Sequence, residues 1–90
     1  MKTAFLLMAQ YDGRAIIPVD LVCRDYFSHL TPEKFIRKCA LGELAIPLVR
    51  LDEKSQKGAK GVALTDLAAY LDRRVAAARK ECEQLTSVRM

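Results

Sequence analysis

The chain contains no tryptophan, one histidine, three prolines, four glycines and three cysteines in 90 residues. It has no run of about 20 apolar residues, the length a membrane-spanning helix needs. The single histidine, His29, and the widely spaced Cys23, Cys39 and Cys82 form no C-x-x-C pair and no Cys/His cluster. That argues against structural zinc and against a disulfide framework. Each cysteine falls on an apolar helical position, so all three are expected to be buried, reduced and housed in a reducing cytoplasm. No nucleophile–base pair and no phosphate-cradling glycine loop is present, and Gly58 and Gly61 suit a turn better. The expectation is therefore a protein without catalytic activity, cofactor, metal or small-molecule ligand. Met1-Lys2 followed by Ala4–Ala9 imitates a signal peptide, but the apolar run is short and no small-x-small cleavage site follows.

What is present is cationic and unevenly placed. The formal net charge is +4, and 51% of residues are hydrophobic. That is enough for one small core, although a chain this short buries little surface per residue, and dimerisation would help. Residues 1–30 carry three Lys/Arg against three Asp/Glu, residues 31–61 seven against four, and residues 62–90 five against four. The excess thus centres on the middle third, which suits a polyanionic partner.

That third opens with the best-punctuated helix of the sequence, Thr31 to Gly42. Thr31 is placed to cap it, Pro32 suits its first position, Glu33 meets the positive end of its dipole, and Gly42 is placed for the left-handed residue that ends it. At about 100° per residue, Phe35, Ile36, Cys39 and Ala40 share one side, and Lys34, Arg37, Lys38 and Leu41 share the other. The front carries three cations and no interleaved acid, so it reads as a surface for nucleic acid; a face that simply meets water is the alternative.

The flanking segments fit that reading. Thr3 can cap a short helix over residues 4–11, apolar on most sides and suited to burial beneath the domain or against a second subunit. Asp12-Gly13 signals a turn, and Arg14–Pro18 reads as a short extended segment. Residues 19–27 make an amphipathic helix, with Val19, Val22, Cys23, Tyr26 and Phe27 on one side and an Asp20–Arg24 pair on the other. Ser28-His29-Leu30 joins it to the Thr31 helix, and His29 in that turn is expected to be solvent-exposed or capping, with a phosphate contact as the alternative. Two short helices in this order, the second with a basic front, are the pattern of a helix-turn-helix. Leu48–Leu51 and Val62–Leu64 can pair as a β-hairpin whose polar tip holds three lysines, which in this position reads as a wing, with a disordered surface loop as the alternative. A last helix is expected from Asp66 to about Gln84, started by Thr65 and Asp66. From Leu71 its apolar seam runs Val75, Ala78, Cys82, Leu85, in steps of four, three, four and three. The part beyond about Val75 outreaches so small a domain and is expected to pair two chains, with packing wholly within one chain as the alternative.

Several stretches also carry a family resemblance. Thr3–Tyr11, Ile17-Pro18, Asp25-Tyr26-Phe27, Leu30-Thr31, Glu33-Lys34-Phe35, Gly42, Ile46–Arg50 and Leu67–Tyr70 together resemble the pyocin activator protein PrtN family over nearly the whole chain. More distantly, residues 17–74 resemble the AlpA and excisionase group of MerR-like winged helix-turn-helix domains. The resemblance implies a small bacterial, cytoplasmic transcription activator. Such proteins bind short boxes upstream of phage-tail-like and nuclease bacteriocin genes and switch them on after DNA damage.

The resulting expectation is a mainly α chain with a small β-hairpin, a winged helix-turn-helix of MerR/excisionase type with a long C-terminal helix. Its single domain divides into an N-terminal helix and turn (1–16), the helix-turn-helix plus wing (17–64) and a dimerisation helix (65–86). Double-stranded DNA is the expected partner, bound by a homodimer or higher homo-oligomer, and RNA polymerase is a further candidate partner. Arg37 is the candidate for a guanine contact, flanked by Lys34 and Lys38, and Thr31 is placed to hold a phosphate. Lys54, Ser55, Gln56, Lys57 and Lys60 on the wing would follow the backbone. Leu71, Val75, Ala78, Cys82 and Leu85 would form the dimer seam. An excisionase-like architectural protein that bends DNA is the alternative, and a protein–protein adaptor that ignores DNA is a third reading.

Overall fold

Leu7, Ile17, Val22, Phe35, Val62 and Leu67 come from six different elements, and each is no more than 2% exposed. These residues lie at the centre of a computed structural model that describes residues 2–52, 54 and 59–88. The described residues form helices α1 (Thr3–Gln10), α2 (Val19–Tyr26), α3 (Pro32–Ala40) and α4 (Leu64–Val88) and strands β1 (Ile16–Pro18), β2 (Val49–Arg50) and β3 (Lys60–Ala63). The architecture is mainly helical with one small antiparallel sheet. No helix among the described residues is long and apolar enough to cross a membrane.

The sheet order is β1-β3-β2. Ile17 lies opposite Val62 and Pro18 opposite Gly61, while Val49 lies opposite Gly61 and Arg50 opposite Lys60. Proline is tolerated in β1 because it is an edge strand. Between α1 and β1 the chain reverses through two left-handed residues, Asp12 and Gly13. Glycine adopts that conformation freely, and aspartate is among the few other residues that accept it.

Aromatic packing holds the three later helices together. The Phe27 ring lies 5.1 Å from that of Phe35 and 5.8 Å from that of Tyr70, so one residue just past α2 touches α3 and α4 at once. A polar cluster ties α1 to α2. Tyr11 Oη donates to Asp25 Oδ2 at 2.7 Å, and Tyr26 Oη donates to Gln10 Oε1 at 2.6 Å. Arg24 donates to both Asp25 oxygens, at 2.8 and 3.1 Å. The Arg24 bonds, then that of Tyr11, hold the Asp25 carboxyl below the usual carboxylate range. Burial, reinforced by the bond to Asp25, pushes the Tyr11 phenol well above its ordinary value.

β3 passes into α4 with no residue between them, and the Leu64 N–H donates to the Ala15 carbonyl at 2.9 Å. The first turns of α4 bury Leu64, Leu67 and Ala68 and half-bury Tyr70 and Leu71. Further along, Val75, Ala78, Cys82 and Leu85 are all exposed. The helix projects from the domain, and the molecule measures 57 × 29 × 19 Å.

Several expectations need correcting. Thr3 is not a cap: α1 starts at Thr3 itself, Lys2 precedes it without a side-chain bond, and the Thr3 hydroxyl donates to Asp72 on α4 instead. α1 buries only Leu7 and leaves Phe5, Leu6 and Met8 exposed, because its other faces look away from α4. Arg24 turns to its neighbour Asp25, which Tyr11 holds in place, rather than to Asp20. The hairpin is part of a larger sheet, because β1 supplies a third strand along the free edge of β3. α4 begins at Leu64, not at Asp66, because the β1–β3 pairing delivers the chain there already bonded to Ala15. Cys23 is buried, but Cys39 is half-buried and Cys82 is exposed on the projecting part of α4.

Candidate nucleic-acid interface

The start of α3 is built by the residues that signal it. The Thr31 hydroxyl accepts from the Lys34 N–H at 3.2 Å, and Pro32 occupies the first turn. At the other end Gly42 has φ +77°, and two bonds close the helix: Gly42 N–H to Cys39 O at 3.2 Å and Glu43 N–H to Lys38 O at 2.9 Å. That pattern satisfies carbonyls that would otherwise be orphaned at the helix end.

Burial of Phe35 fixes the rotation of α3. With Phe35 fully buried and Ile36 and Cys39 half-buried, Lys34 and Arg37 are driven to the outside, where both are exposed. Neither side chain makes a hydrogen bond or ion pair with another described residue. Ala40, expected on the buried side, is exposed, because the apolar back narrows towards the helix end. Lys38 is half-buried, and its Nζ lies 3.9 Å from Glu43 Oε2. The face is therefore not free of acid: the left-handed turn at Gly42 brings Glu43 back alongside Lys38. Burial raises the Cys39 thiol to about 11, so it stays protonated at neutral pH and presents no anion beside the cations.

The β2–β3 hairpin lies against another side of α3. A shallow groove between α2, α3 and β3 is lined by Asp20, Pro32, Ile36, Ala59 and Lys60, so the base of the hairpin lies beside the first turns of α3. Arg50 is exposed and sits directly opposite Lys60 across the sheet. Arg50 was missed in the sequence; the register of β2 on β3 would have revealed it. Lys54 is exposed, and its N–H donates to Asp52 Oδ1 at 3.1 Å, which bends the chain as it leaves β2. Ser55, Gln56 and Lys57 lie outside the described residues.

Thr31, Lys34 and Arg37 thus share the exposed surface of α3, with Lys38 partly diverted to Glu43, while Lys60 lies across the groove on the Pro32–Ile36 side of the helix. The residues proposed for pairing, Leu71 to Leu85, lie on a different element, and only Leu71 contributes to the core. On α4, Arg73 donates to the Ala45 carbonyl at 3.0 Å and stacks 5.8 Å from the Tyr70 ring. It thereby holds the loop that follows α3.

No curated protein and no solved structure matches the chain. The family model described as pyocin activator protein PrtN matches residues 3–78, from the first residue of α1 to the projecting part of α4. A match over that span takes in the core, the α2–α3 pair and the hairpin, and the chain belongs to the pyocin activator protein PrtN family.

Proposed function

We propose that the protein is a sequence-specific DNA-binding activator of pyocin-type bacteriocin genes, working as a homodimer. In this reading α2 and α3 are a helix-turn-helix, β2 and β3 are its wing, and α3 enters the major groove. The observation that carries it is the outer face of α3. Lys34 and Arg37 stand exposed, without an acidic partner among the described residues, on a helix held from behind by the buried Phe35. Arg50 and Lys60 extend positive charge onto the adjoining hairpin. The name of the family supports activation as the output.

Arg37 is assigned the guanine contact, because its planar fork matches O6 and N7 of that base. Lys34, Arg50, Lys54 and Lys60 are assigned to phosphates. Thr31 contributes indirectly, since its hydroxyl oxygen is committed to the Lys34 N–H and fixes the start of α3. The test is a footprint on DNA upstream of a pyocin-type gene cluster at two salt concentrations. Arg37→Ala should cost about 1–3 kcal/mol on the protected box and relax the choice at one base pair. An unchanged ratio of specific to nonspecific affinity in that variant would remove Arg37 from the reading.

A further inference from the structure

We propose that Leu41 is a second base-reading residue, and that its side chain meets the C5-methyl group of a thymine. The inference rests on the reading of α3 as the helix in the major groove.

Leu41 is 68% exposed, the most exposed of the large apolar side chains among the described residues. It is not a stray loop residue. Its φ of −86° and ψ of 0° are helical, and its N–H donates to the Arg37 carbonyl at 3.0 Å, so it continues the spiral of α3 by one position. At about 100° per residue, Lys34, Arg37 and Leu41 fall within an arc of roughly 60°. The apolar residue and the two exposed cations therefore form one stripe. Gly42 turns the chain immediately afterwards, and Glu43 folds back on the Lys38 side, which leaves the Leu41 face uncovered.

An aliphatic group at that place loses contact with water when a duplex approaches. The loss is favourable only where the groove offers an apolar surface. Among the groups displayed in the major groove, the thymine methyl is the apolar one. Four residues along a helix advance about 6 Å. Base pairs are spaced at about 3.4 Å, so the thymine lies within about two base pairs of the guanine read by Arg37.

The experiment uses the full chain and a box defined by footprinting, with each thymine replaced singly by deoxyuridine, which lacks only the methyl group. The wild-type protein should lose about fourfold in affinity at one thymine, the effect of one buried methyl group. Leu41→Ala should bind the thymine and deoxyuridine boxes equally, with an unchanged circular dichroism spectrum because the side chain is outside the core. A wild-type chain indifferent to every replacement overturns the assignment, and so does a methyl effect that survives in Leu41→Ala. In both of those results specific binding persists and the reading of α3 stands. A wild-type chain that does not prefer the box to competitor DNA overturns both.

Discussion

At the scale of single residues, the contact between Lys38 and Glu43 limits how much charge α3 offers. Both side chains are about half exposed, at 43% and 57%, so the pair is worth little to stability. Its effect is on what Lys38 can reach. Glu43→Gln should release Lys38 and raise affinity for any duplex by up to about fivefold, with little change in melting temperature. The slope of log affinity against log salt should steepen by up to about one unit. Titrations with an unrelated duplex at two salt concentrations check this, and an unchanged affinity and slope would mean that Lys38 takes no part. The Asp25 cluster gives a second prediction at this scale. Its carboxyl is held below its ordinary value in the folded chain, so its contribution is complete above the unfolded carboxylate value and is lost as the pH falls through the folded one. Tyr11→Phe removes one of the bonds that lowers it. The variant should melt below wild type near neutral pH, and the gap should narrow on acidification from about pH 6 to about pH 3. A gap that stays the same across that range would show that the Tyr11 hydroxyl acts independently of the Asp25 charge.

Among the elements, β3 is the one the others are fitted to, and Gly61 is where the fit is tightest. A Cβ there would stand 2.8 Å from the Ile17 carbonyl oxygen and 2.5 Å from Ile16 Cγ2. The carbonyl belongs to a strand paired in register with β3, so it has little freedom to withdraw. Gly61→Ala should cost about 1–3 kcal/mol. For a domain of this size that lowers the melting point by at least about 4 °C, measurable by circular dichroism. An unaltered melting point would mean that β1 shifts away. The same element shows where the sequence stops being readable. α3 was legible to within a residue or two, because Thr31, Pro32, Phe35 and Gly42 each act locally on their own helix. β1 was legible as extended chain, but not as a strand of the sheet, since its three residues take their partners from positions more than 40 residues away. The candidate interface divides in the same way. Lys34 and Arg37 follow from helical spacing, whereas Arg50 depends on strand register and the Lys38–Glu43 contact on a left-handed residue between the partners. The exposure of Cys82 was missed because periodicity marks an apolar stripe without saying whether the same chain covers it.

Taken whole, the molecule is an elongated body with a charged end and a projecting helix. Its outward seam of Val75, Ala78, Cys82 and Leu85 is exposed, without cover among the described residues, and that supports the reading of a homodimer. Val75→Glu together with Leu85→Lys tests it. Each new charge falls four residues from an opposite one, Arg79 and Glu81 respectively, so the helix itself is not weakened. Light scattering should show a dimer for wild type and the 10.1 kDa chain for the double variant, with the same melting of the domain core. A wild-type chain that weighs 10.1 kDa under DNA-binding conditions would exclude the dimer. The direct passage from Ala63 to Leu64 then takes on a wider meaning. With no slack between strand and helix, two chains clasped by their helices would behave like a pair of calipers locked at one opening. The distance between paired target sequences would be dictated by that joint, and a spacer of the wrong length would be rejected however good each half was.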